Sequence, residues 1–197
     1  MSAVSVAVSL RLRPEIAEVD DPAHAASHVA PPFPPADIEI GPGIASYKGA
    51  QHRFSHTFGR DASTADIFET HRDAVLSVLS GFDTTLMAYG ATGSGKTFTM
   101  LGTEEQRGLM PLAIDSLFER ISNSGAGQTY ALQVSALEVL EERCFDLLHA
   151  HSPVTLKSAT KDGGLKFDGL QEVAVQTRDE LIERICDAIA ERTTAAK

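Results

Sequence analysis

Eight consecutive residues, Gly90-Ala91-Thr92-Gly93-Ser94-Gly95-Lys96-Thr97, carry the most specific chemical signal in the chain. They satisfy G-x-x-x-x-G-K-[ST], the P-loop pattern, and the residue types explain why it holds phosphate. Gly90, Gly93 and Gly95 lack a Cβ, so the backbone can turn tightly and aim successive N–H groups inward as a nest for oxyanions. Ala91, Thr92 and Ser94 complete the loop. Lys96 brings a point charge to the β- and γ-phosphates of a nucleotide, and the Thr97 hydroxyl is placed to ligate Mg²⁺.

A loop of this kind works only when a strand delivers it and a helix receives it. Thr84 to Tyr89 is a short apolar run ending at Gly90, which predicts a buried strand. A helix is expected to open near Gly95, turning its positive end toward the phosphates. It breaks at the polar stretch Gly102–Gly108 and resumes at about Met110–Ile121, with Ile114, Leu117, Phe118 and Ile121 on one face. Upstream, Val4, Val6, Val8, Leu10 and Leu12 alternate, predicting a strand from about Ala3 to Leu12 that stops at Arg13-Pro14. Short strands are expected around Asp37–Ile40 and Gln51–Phe58. Ser63 and Asp66 open a helix whose apolar positions are Ile67, Phe68, Ala74, Val75, Val78 and Leu79, closed by Gly81. Thr129 to Leu140 predicts one long strand leading to Phe145-Asp146-Leu147-Leu148. A hairpin is expected over Val154–Val175 with Asp162-Gly163-Gly164 as its turn, and Thr177 with Glu180 forms a capping box for a last helix. Strands interleaved with helices give an α/β fold.

Composition narrows the remaining possibilities. The 197 residues are 43% apolar and 22% charged, enough for one folded domain over the whole length. From Glu15 to Gly43 the sequence shifts to Ala, His, Asp and Pro, including Pro31-Pro32-Phe33-Pro34-Pro35, and predicts a surface excursion. A net charge of −10 argues against a nucleic-acid partner and gives no attraction to an anionic membrane. No stretch reaches the roughly 20 apolar residues of a membrane span. Cys144 and Cys186 match no zinc or redox spacing, so each is expected to be a reduced thiol packed as a small apolar group. Met1 to Arg13 is poor in acids, as transit peptides are, but its alternation favours the strand and hence a cytosolic location. Glu138, Glu141 and Glu142 read as a solvated edge, and Asp179, Glu180, Glu183 and Asp187 as the wet face of the last helix.

Several segments, taken together, resemble the kinesin motor domain. Ala88-Tyr89-Gly90-Ala91-Thr92-Gly93-Ser94-Gly95-Lys96-Thr97-Phe98-Thr99-Met100 is similar to the kinesin loop A-Y-G-Q-T-G-S-G-K-T-Y-T-M, with Ala91 in place of the usual glutamine. Arg11-Leu12-Arg13-Pro14 resembles R-x-R-P, and Phe54-Ser55-His56-Thr57-Phe58-Gly59 resembles F-D-x-V-F-G. Gly108-Leu109-Met110-Pro111 resembles G-I-I-P. Leu137-Glu138-Val139-Leu140 through Asp146-Leu147-Leu148 resembles L-E-I-Y-N-E-x-x-x-D-L-L, and Arg192-Thr193-Thr194-Ala195-Ala196 resembles N-R-T-T-A-A. Tyr130-Ala131-Leu132-Gln133 and Met100-Leu101-Gly102 are similar to the chromokinesin branch.

The resemblance implies a P-loop NTPase fold that binds ATP with Mg²⁺, with Arg11, Arg13, Pro14 and Phe98 around the adenine. It implies microtubules as partner of the complete family member, with the helix and loops that contact them falling largely outside these 197 residues, and a cytoplasmic, cytoskeletal location. It also implies that the switch motifs N-x-x-S-S-R-S-H and D-L-A-G-S-E are needed for turnover, and neither occurs in these 197 residues. The expectation is therefore the N-terminal part of a motor domain, in which Leu86, Met87 and Ala88 lack their neighbouring strands. Leu165-Lys166-Phe167-Asp168 offers a poor substitute for a metal-binding aspartate. Two other readings stay open: a non-catalytic nucleotide-binding module, and another P-loop kinase, for which Arg107, Arg120 and Arg143 are too dispersed.

Overall fold

The computed structural model of the chain describes residues 5–13, 38–125, 128–157 and 166–192. Pro14, the proline-rich excursion, the Asp162–Gly164 turn and Thr193–Ala196 lie outside them. The chain divides into two compact units, Met1–Ser116 and Leu117–Lys197.

In the first unit, strand β1 (Ser9–Arg11) pairs in parallel with β5 (His56–Phe58), setting Arg11 beside Phe58. The ladder is shorter than the alternation predicts. Val6 and Val8 are 77% and 54% exposed, so their apolar pattern finds no face to cover. Between these strands lies an antiparallel meander of β2 (Ile38–Gly41), β3 (Ile44–Tyr47) and β4 (Ala50–Arg53). The Lys48-Gly49 turn joining β3 to β4 has positive φ at both residues, the handedness that matches strand twist. Thr57 ties this meander to β5 by donating to the Gly41 carbonyl at 2.6 Å.

Helix α1 (Thr64–Leu76) begins at the expected cap. The Ser63 hydroxyl accepts from Asp66 N at 3.1 Å, and Asp66 Oδ2 accepts from Ser63 N at 2.9 Å. Its inward face buries Ile67, Phe68 and Val75, and a 3-10 turn at Ser77–Ser80 leads to left-handed Gly81. The run Thr84–Tyr89 departs from expectation. It is extended in its burial rhythm, with Leu86 and Ala88 half-buried and Met87 and Tyr89 82% and 96% exposed, but it joins no ladder among the described residues. Beyond the glycine-rich loop come α2 (Lys96–Met100) and α3 (Leu109–Ser122), which buries Leu109 and Ile114.

The second unit holds two sheets. The predicted long strand is two short ones, β6 (Leu132–Val134) and β7 (Leu137–Leu140), separated at Ser135-Ala136 and committed to different sheets. β7 runs antiparallel to β8 (Arg143–Asp146) through Glu141-Glu142, both at positive φ, a turn that Glu-Glu does not advertise. β9 (Ser152–Lys157) and β10 (Lys166–Asp168) extend this sheet, pairing Lys157 with Lys166 as a hairpin requires. β11 (Val173–Val175) pairs with β6. Helix α4 (Arg178–Glu191) starts at Thr177, whose side chain accepts from Glu180 N, while the Glu180 carboxylate caps Gln176 N instead of Thr177 N. Cys144 is half-buried, but Cys186 on α4 is exposed, so only the first packs as expected.

Candidate functional site

The glycine-rich loop is built against β1. Arg11, the last residue of β1, reaches α2, and Arg13, just beyond the strand, reaches the loop. Arg13 Nη1 donates to the Gly93 carbonyl, and Arg60 Nη1 holds the Arg13 carbonyl at 3.2 Å. Arg11 Nη1 donates to Thr99 Oγ1 at 2.8 Å, with its guanidinium carbon 5.5 Å from the Phe98 ring centroid. That distance is within the range of a cation–π contact. Burial pushes the Arg11 guanidinium below its ordinary value.

Within the loop, backbone conformation calls for glycine twice: Gly93 has φ +78° and Gly95 φ +93°, the left-handed region that disfavours other residues. Lys96 Nζ folds back across the loop and donates to the Gly90 and Ala91 carbonyls at 3.0 and 2.8 Å. Lys96 is half-buried, while Ala91, Thr92, Gly93, Ser94 and Thr97 are exposed. An ammonium at the mouth of a loop with no side chain on three of its residues is a donor set for oxyanions, and phosphate fits it. Thr97 supplies a hydroxyl on the first turn of α2. Among the described residues no group of three or more His, Cys, Asp or Glu could hold a metal ion. The Thr97 hydroxyl is an oxygen ligand of the kind magnesium takes.

Gly90 through Phe98, Arg11 and Arg13 are thus brought into one neighbourhood, and Pro14 lies outside the described residues. Sequence reading gave no role to Arg60 or Thr99. Thr99 stood inside the quoted motif, while Arg60 follows Gly59 with no local signal. Asp168, the weak candidate for a metal aspartate, is occupied by Lys157 at 2.7 Å, which holds its carboxyl below the ordinary range.

One expectation is corrected away from the loop. Glu138 is not a solvated edge: its side chain is 9% exposed, bonded to His151 Nε2 at 2.9 Å and facing Arg192 Nε at 3.7 Å. The strand alternation turns it inward, while Glu141 and Glu142 in the turn stay exposed.

The family profile described as kinesin motor domain matches residues 11–197. The chain is 32% identical to kinesin-like protein KIF18B of Gallus gallus over 96% of its own length and 25% of that protein. It is 36% identical to kinesin-like protein KIN-10C of Oryza sativa subsp. japonica, over 70% of this chain and 23% of that one. The solved structure of a fast kinesin, determined for its implications for ATPase mechanism and interactions with microtubules, superposes with a TM-score of 0.81 at 27% identity. That match covers 98% of this chain and 55% of the other. The chain therefore spans about a quarter of the curated relatives it matches.

Proposed function

The chain belongs to the kinesin motor domain family, and from that membership we propose that residues 1–197 form the nucleotide-binding part of an ATP-driven, microtubule-based motor. ATP is bound with its phosphates in the loop Gly90–Thr97 and its base near Arg11, Arg13, Pro14 and Phe98. Mg²⁺ is held by Thr97 and the phosphates, and supplies charge neutralisation at the β- and γ-oxygens. The partner is the microtubule, and the location is cytoplasmic and cytoskeletal. No helix among the described residues is long and apolar enough to cross a membrane.

The observation that carries this reading is the placement of Lys96 across the Gly90 and Ala91 carbonyls. Those carbonyls park the ammonium at the loop mouth, where an incoming phosphate offers it a stronger, charge-assisted bond. Binding and orientation are what this neighbourhood supplies. Turnover further requires a positioned water and stabilisation of developing charge.

Titration of the purified chain with a fluorescent ATP analogue and Mg²⁺ tests the proposal. Saturable binding is expected, weakened roughly a hundredfold by Lys96→Ala, the loss of a charge-assisted contact. Equal binding by the two proteins, or no binding by a wild-type chain with native circular dichroism, would sink it. Co-sedimentation with microtubules in the presence and absence of nucleotide tests the partner separately.

A further inference from the structure

Thr99 Oγ1 makes two hydrogen bonds, accepting from Arg11 Nη1 at 2.8 Å and donating to the Gly95 carbonyl at 2.9 Å. A hydroxyl has one proton and two lone pairs, so both bonds hold at once without competition. One of these partners is the last glycine of the loop, and the other is the guanidinium lying over Phe98. Arg11 Nε is buried and, among the described residues, has no hydrogen-bond partner. The placement of the guanidinium therefore leans on its Nη1 bond to Thr99 and on the Phe98 ring. A half-buried guanidinium released from its acceptor would turn toward water, since burying it unpaired is unfavourable.

We propose that Thr99 is a positioning residue for the base end of the nucleotide: its hydroxyl holds Arg11 over Phe98 and fixes that pair to the Gly95 carbonyl. Thr99 itself touches neither base nor phosphate. It sets the distance between the loop and the Arg11–Phe98 pair. The inference rests on the nucleotide-binding reading above.

Calorimetric titration of the full chain with Mg-ATP and with Mg-tripolyphosphate, which has the phosphates but no base, separates the two ends of the site. Thr99→Val keeps the side-chain shape and removes the hydroxyl. It should lower the ratio of ATP to tripolyphosphate affinity about tenfold, the scale of a lost hydrogen bond to a charged group. Thr99→Ser should restore the ratio. Arg11→Met, which keeps the aliphatic stem, should reproduce the drop, and the double variant should fall no further than either single one. Arg11→Met also carries the test if Thr99→Val loses its native circular dichroism. An equal loss of both ligands in Thr99→Val would mean that the hydroxyl serves the loop alone and would overturn the proposal, as would an unchanged ratio in both variants. A wild-type chain that binds ATP and tripolyphosphate equally overturns this inference but leaves phosphate binding standing. One that binds neither removes the nucleotide reading itself.

Discussion

Two side chains from separate elements meet around Ser9: its hydroxyl lies 3.4 Å from His56 Nδ1 and 3.2 Å from His71 Nε2, with the two imidazoles edge to face. Burial and the charge of His56 hold the His71 imidazole below its ordinary value. The unfolded chain therefore takes up this proton at a higher pH than the folded one. Stability from this group is fully present above about pH 6.5, the ordinary imidazole value, and is lost as pH falls below it toward the lowered value of the folded state. Urea midpoints measured from about pH 7.5 down to about pH 5.5 should decline across the imidazole range, and His71→Gln should flatten that slope. A variant as pH-sensitive as the wild type would remove His71 as the cause. At the same scale, Asp146 is fully buried and accepts from Leu148 N at 2.8 Å and Gln171 N at 2.9 Å. Asp146→Ala takes the acceptor from both part-buried bonds and should cost about 1–3 kcal/mol in chemical denaturation.

Helix α1 shows how local signals and packing share the work of one element. The Ser63–Asp66 box satisfies two orphan N–H groups at its start, and Ser63→Ala should lower stability by about 1 kcal/mol. Phe68, at 2% exposure, is the larger contribution, because its ring is enclosed and Arg72 lies 5.4 Å from its centroid. Phe68→Ala should cost about 3–5 kcal/mol and shift the denaturation midpoint several times further than Ser63→Ala. The Arg72–Glu69 ion pair on the same helix is exposed on both sides and adds little. Similar losses in the two variants would mean that the cap, and not the buried face, holds α1.

For the molecule as a whole, the segment that leads into the glycine-rich loop stands out among the described residues for its lack of strand neighbours. Thr84–Tyr89 has no ladder partner among the described residues, and Phe82, Met87 and Tyr89 present apolar surface to solvent. Amide hydrogens of residues 84–89 should exchange orders of magnitude faster than those of α1, which are held within a capped and buried helix. Protection equal to that of α1 would show that the segment is paired in solution. Adding Mg-ATP should slow exchange at the loop, because a ligand that binds only the ordered form stabilises it.

The sequence by itself determined the glycine-rich loop, the family, the cap of α1 with its buried Ile67, Phe68 and Val75, and the start of α4; Ala74 and Val78, expected on the same face, are exposed. In each case the information is local: a glycine spacing, a side chain three residues from its backbone partner, a helical repeat of apolar groups. Only the tertiary structure decided that Thr129–Leu140 divides between two sheets, since one continuous strand-like stretch does not reveal which partner each half will find. It also decided that Glu138 turns inward to His151, which lies thirteen residues away, and that Arg11, Phe98 and Thr99 share one corner. The same holds for Thr84–Tyr89, read as a buried strand from its apolar residues. A strand is made by neighbours that accept its hydrogen bonds, and no run of residues specifies those alone.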